Sequence, residues 1–145
     1  MKVKFFERNG LLNLNAVYAG VYQFKIGVVD DDEEKYLPLY IGESYSMLSR
    51  CSNHLYEVFH TDPSYFGLTE ENLEDDRLQL IVEIYESIPL EKDISNSERD
   101  IKLRQKETSA IKAAKPLSQN ESNDNLRKDR VKVVQDAIDK LLSSR

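Results

Sequence analysis

The chain has no tryptophan, one cysteine, two histidines, five glycines and four prolines in 145 residues. With Cys51 alone, no internal disulfide can form, which fits a reducing compartment, and a cytoplasmic location is expected. Two histidines and one cysteine cannot build the usual zinc cages. Glycine is too sparse and too scattered for a glycine-rich phosphate loop. No apolar run approaches the roughly 20 residues needed to cross a bilayer, so no membrane partner is expected. The first residues mix charges and asparagines with their apolar side chains and lack the apolar centre of a secretory leader.

What remains is a chain with 40% hydrophobic and 32% charged residues, normal for one globular domain over 1–145. The net charge of −6 argues against a nucleic-acid partner if it is spread evenly. It is not. Acid gathers in Asp30–Glu34, in Glu70, Glu71, Glu74, Asp75 and Asp76, and after Asn120. If those blocks are solvated loops, a basic face is left around Arg50, Lys102, Arg104, Lys106, Lys112 and Lys115.

Periodicity gives the elements. Val3 to Phe6 is a candidate short edge strand before an Asn9-Gly10 turn. In residues 16–29, Tyr22, Phe24 and Ile26 alternate with Gln23 and Lys25, a strand pattern; Gly20 inside it predicts close approach by another backbone or a ligand. Leu37 to Gly42 returns as a hairpin partner. Ser44 or Ser46 caps a helix whose apolar stripe is Met47, Leu48, Cys51, Leu55, Val58 and Phe59, with Arg50 and His54 stacked on its flank. Residues 61–76 read as a loop with a turn of helix at Thr69–Leu73. Leu78 to Glu86 is a strand, ended by Pro89. Ser95 or Ser97 caps a long helix to Lys115, with Leu103, Glu107, Ala110, Ile111 and Ala114 on one face. Glu107 is the odd member, because a buried unpaired carboxylate is expensive. Pro116 breaks the pattern, and a last amphipathic helix runs from about Asp124 to Leu142, fit to pack on the body or on a second copy as a homodimer. The fold class expected is α+β: a small, mostly antiparallel three-stranded sheet flanked by helices, with a C-terminal helical extension over 121–145.

Gly20-Val21-Tyr22 and Tyr40-Ile41-Gly42 on neighbouring strands resemble the two tripeptides that name the GIY-YIG endonucleases. Arg50, ten residues past Tyr40, and His54, four further on, match that family's first-helix pattern. Glu107, then Lys115-Pro116 and Asn120, resemble its later glutamate and asparagine elements, so the likeness spans about 16–120. Two features depart from it: the loop between the tripeptides is long and acidic, and Glu43, Ser44 and Tyr45 stand where many members carry a lysine.

The resemblance implies DNA phosphodiester hydrolysis with one divalent cation, Mg²⁺ or Mn²⁺, ligated by Glu107. It implies that Arg50 contacts the scissile phosphate, that Tyr22 is the general base, and that Tyr40 orients water or a phosphate oxygen. For Tyr22 to act as a phenolate near neutrality, its ordinary pKa of about 10 has to fall. His54 bonds the phosphate or assists proton transfer; Asn120 positions the metal helix or the substrate backbone. Each residue has a plainer reading: strand packing for the tyrosines, a surface role for Arg50, a structural imidazole, a turn for Asn120, and a peripheral, paired Glu107. The alternative function is a nucleic-acid-binding or protein-interaction domain of the same fold without catalysis.

Overall fold

The computed structural model describes residues 1–88, 95–123 and 125–144. Strand β1 is Lys2–Phe5, β2 Glu7–Arg8, β3 Leu11–Leu12, β4 Gly20–Val28, β5 Leu37–Ser44 and β6 Leu78–Ser87. The α-helices are α1 Met47–Tyr56, α2 Glu70–Glu74, α3 Asn96–Ala114 and α4 Arg130–Ser143.

The α+β class holds, but the sheet is larger than expected. Its order is β1-β6-β4-β5, with β4 antiparallel to both neighbours and β1 parallel to β6. The antiparallel three are those the alternation predicts; the fourth makes the sheet mixed. A separate hairpin of β2 and β3 follows β1.

Cross-strand partners share a face, so the register sorts the side chains. Tyr22 opposes Gly42 and Ile84, and Phe24 opposes Tyr40 and Val82. This face carries the larger core: Tyr22, Phe24, Ile26, Leu80 and Val82 pack with Met47, Cys51 and Val58 of the first helical region, Phe66, and Val134 and Ile138 of α4. On the reverse face Val21 and Ile41 pack with Leu103, Ala110 and Ile111 of α3. Gln79 and Ile81 of β6 are buried as well as Leu78, Leu80 and Val82, and Gln79 accepts from the Tyr36 hydroxyl at 2.9 Å.

Local chemistry sets the ends. Ser46 caps α1 by accepting from the Ser49 N–H, and Ser95 caps α3 by accepting from the Glu98 N–H. Lys115 takes a left-handed conformation (φ 53°) immediately before Pro116, closing α3. After α1 the chain continues as wider helical turns over Glu57–Thr61, then a 3₁₀ turn over Pro63–Phe66.

Helix α4 begins six residues later than its apolar pattern suggests. Asn120 N–H donates to Asn125 and Arg127 N–H to Ser118, so the chain before α4 pairs with 118–120 as a short bridge. Leu126 therefore belongs to that bridge and not to the helical stripe; Asp124, like Pro89, lies outside the described residues. Val134 and Ile138 are buried in the chain's own core, so the helix's apolar face packs on the body. Among the described residues no helix is long and apolar enough to cross a membrane.

Candidate functional site

The site lies toward the end of the β4–β5 ladder where β4 begins. Gly20 sits there because the Glu86 carbonyl and the Met47 side chain occupy the space its Cβ would need; the close approach comes from the protein itself. At Gly42 the neighbour is the Tyr22 phenol, which crosses the β5 backbone where a Cβ would project. The second tripeptide's glycine thus makes room for the first tripeptide's tyrosine.

The Tyr22 hydroxyl is 2.8 Å from His54 Nε2, and both residues are buried. Arg50, one helical turn before His54, acts on both groups through its charge. The Tyr22 hydroxyl donates to Nε2 when His54 carries its ring proton on Nδ1. His54 is closer to the core than its flanking position on the helical stripe suggests. Its ring lies 5.2 to 5.9 Å from those of Tyr22, Phe24, Tyr40, Tyr65 and Phe66.

These surroundings set the protonation states. Burial, then the Arg50 charge, lowers His54 to a pKa of about 4, so the imidazole is neutral at neutral pH and able to accept. Burial first, then Tyr40 and Cys51, pushes the Tyr22 phenol well above its ordinary range; Arg50 pulls the other way and loses. The expected downward shift toward phenolate is therefore corrected: desolvation keeps Tyr22 protonated. Burial also raises Tyr40, followed by Tyr65 and then the Glu107 charge. For Arg50, burial works against the charge, but Tyr22, Tyr40 and Tyr65 outweigh it and hold the guanidinium firmly ionised.

Glu107 is half-buried on the α3 face that carries Leu103, Ala110 and Ile111. Its charge is felt at Tyr40, on the edge strand β5, so it belongs to the same neighbourhood although α3 packs on the reverse face of the sheet. No group of three or more His, Cys, Asp or Glu able to hold a metal occurs among the described residues. Whatever else it bonds, a single hard carboxylate from the chain, partly open to solvent, suits a cation that keeps most of its waters and takes its other ligands from a phosphate; it does not suit a closed protein cage.

Asn120 follows Gln119, whose side-chain amide makes both backbone bonds of Ile41, accepting from N–H and donating to C=O at 2.8 Å each. Gln119 thereby extends the edge of β5 beside Tyr40. Asn120 itself is half-buried, and its backbone N–H bonds Asn125.

A recess of about 400 Å³ opens beside the cluster, lined by Arg50, Asn53, His54, Tyr56, Glu57 and Tyr65. Tyr65 is the residue that sequence reasoning missed. Its ring is 6.3 Å from that of Tyr40. The adjacent aromatic pair Tyr65-Phe66, set between Pro63 and Gly67 in an otherwise polar loop, was the available signal.

Both departures from the resembled pattern have definite places. The acidic loop joins the far ends of β4 and β5: Tyr22 and Val28 are six residues apart, about 20 Å along a strand. Its charges pair locally, Lys35 with Asp31 and Lys4 with Glu33. Glu43 is half-buried on the α3 side of the sheet. Burial, then Asp100, raises its carboxyl, while Arg104 and Arg50 pull it down.

No family model matches the chain, and no curated protein and no solved structure matches it.

Proposed function

We propose that this chain is a divalent-metal-dependent endonuclease that hydrolyses DNA phosphodiester bonds, as its likeness to the GIY-YIG endonucleases implies. The observation that carries the reading is the Tyr22–His54 bond of 2.8 Å beneath an exposed Arg50. A packing tyrosine needs no imidazole acceptor, and a structural imidazole needs no guanidinium at its mouth.

Each residue has a role set by its surroundings. Arg50 is exposed, ionised and planar, so it can clamp two phosphate oxygens. That move puts an anion beside the charge that depresses His54, and the imidazole becomes more basic when substrate is in place. Tyr22, kept neutral by burial, takes a proton from the attacking water as its own proton passes to His54 Nε2. The P–O3′ bond breaks, the leaving oxygen takes a proton from solvent, and the imidazolium returns its proton through Tyr22. Tyr40, half-buried beside Glu107, orients the water or an adjoining oxygen. Glu107 is the residue that would hold Mg²⁺ or Mn²⁺, and the bound ion would supply positive charge to the leaving oxygen. Asn120, next to the Gln119 clamp on β5, supports the substrate backbone or the metal-bearing helix.

The test is nicking of supercoiled plasmid by the full chain with Mg²⁺ or Mn²⁺, beside a chelator control. Metal-dependent nicking supports the reading; an intact plasmid with both metals overturns it. Binding of the same DNA without cleavage is the signature of the alternative, a domain of this fold that has lost catalysis; Glu43 in place of a lysine favours that second reading.

A further inference from the structure

The turn that carries Tyr65 is held more firmly than a packing loop requires. Asp62 Oδ1 caps it, accepting from the Ser64 N–H at 3.0 Å and from Ser64 Oγ at 2.6 Å. Gly67 closes it in a left-handed conformation (φ 81°), and a Cβ there would meet Val134 and the Arg130 carbonyl. Its carbonyls are then taken up by side chains from late in the chain. Arg130 Nε donates to Ser64 at 2.8 Å and to Tyr65 at 3.0 Å. Ser118 Oγ donates to Phe66 at 2.8 Å, and Gln135 Nε2 to Gly67 at 3.0 Å. The backbone of Tyr65 is thus pinned from the start of α4.

The ring pinned in this way is half-buried, 5.9 Å from His54 and tilted at 33° to it. It forms one wall of the recess that Arg50 and His54 also line. A phenylalanine would fill the aromatic cluster equally well. What the hydroxyl adds is a proton donor on the wall of the recess, on a residue electrostatically coupled to Tyr40. Glu57, the carboxylate on the recess wall, is exposed.

We propose that Tyr65 is a substrate-binding residue, whose hydroxyl donates to a non-bridging oxygen of the phosphodiester that Arg50 holds. The proposal rests on the nuclease reading and adds a contact to it. It also gives α4 a task, since Arg130 and Gln135 fix the turn from which Tyr65 reaches the recess.

The test compares wild type, Tyr65→Phe and Tyr65→Leu in the full chain, using a short DNA duplex. Cleavage kinetics are measured with Mg²⁺ and equilibrium binding in chelator. Tyr65→Phe should raise KM and weaken duplex binding by about tenfold, the size of one hydrogen bond to a charged group, with kcat little changed. A purely structural ring predicts the opposite pattern: Phe behaves as wild type and only Leu fails. Unchanged KM and binding in Tyr65→Phe overturn the proposal. Should wild type bind the duplex but not cleave it, the nuclease reading fails separately, and a tenfold binding loss in Tyr65→Phe still supports the phosphate contact.

Discussion

The Tyr22 hydroxyl lies over Gly42, in the space that a Cβ at that position would fill. Gly42→Ala should therefore push the phenol off His54. Overpacking of this kind costs about 1–3 kcal/mol, and the displaced hydroxyl should remove most cleavage. Denaturant melts and a nicking assay on the variant check this. Wild-type stability and rate in Gly42→Ala would mean that the phenol moves aside freely and that its position is not functional.

Tyr22→Phe separates packing from chemistry at the same place. The ring stays, and the loss is one hydroxyl bonded to His54 Nε2. Stability should fall by about 1 kcal/mol, while the cleavage rate should drop by about 10²-fold or more. A rate within a few-fold of wild type removes Tyr22 from proton transfer.

His54 should give the fold an acid-sensitive limb. Its folded pKa of about 4 lies below the ordinary 6.5, so between those values the unfolded chain holds the proton and the folded chain does not. This contribution to stability is complete above pH 6.5 and is lost as pH falls toward 4. Its full size is roughly 3 kcal/mol. Carboxylates titrate nearby, so the measurement is the difference between wild type and His54→Gln in denaturant melts from pH 7 to 4. The variant should lose the extra slope; identical slopes would mean that His54 is solvated.

Arg50→Ala should cut cleavage by about 10²-fold, as for loss of one electrostatic contact to the reacting phosphate. Stability should change by less than about 0.5 kcal/mol, because the side chain is exposed. The His54 pKa should rise toward 6.5, because part of its depression comes from the Arg50 charge. NMR titration of the imidazole reads this directly, and an unmoved His54 would show that the two groups are uncoupled.

The parts of this molecule legible in the sequence are those whose signal is local. Alternation places β4 and β6, and Ser46 and Ser95 mark the starts of α1 and α3, because strand period and helix capping are both read within a few residues. The parallel pairing of β1 was not legible, since Lys2 lies opposite Gln79 and no turn connects them. His54 looked like a flank residue because helical periodicity counts one helix's own face. It cannot foresee Tyr65 and Phe66 closing over that flank from a later turn. Leu126 reads as part of the last helix by its apolarity, whereas the backbone around it bonds back to 118–120. Tyr22, Tyr40, Arg50 and His54, which the resemblance singles out, are brought together, and Glu107 is felt by Tyr40; Asn120 is placed only beside the Gln119 clamp.

Glu107 carries the central claim, because it is the residue on which the metal role depends. Glu107→Gln keeps the size of the side chain and removes the charge that a hard cation needs. The measurement is Mg²⁺-dependent plasmid nicking by wild type and Glu107→Gln, with far-UV circular dichroism and a thermal melt on both. The account predicts nicking by wild type, none above background by the variant, and superimposable spectra. Full nicking by a folded Glu107→Gln chain would contradict it.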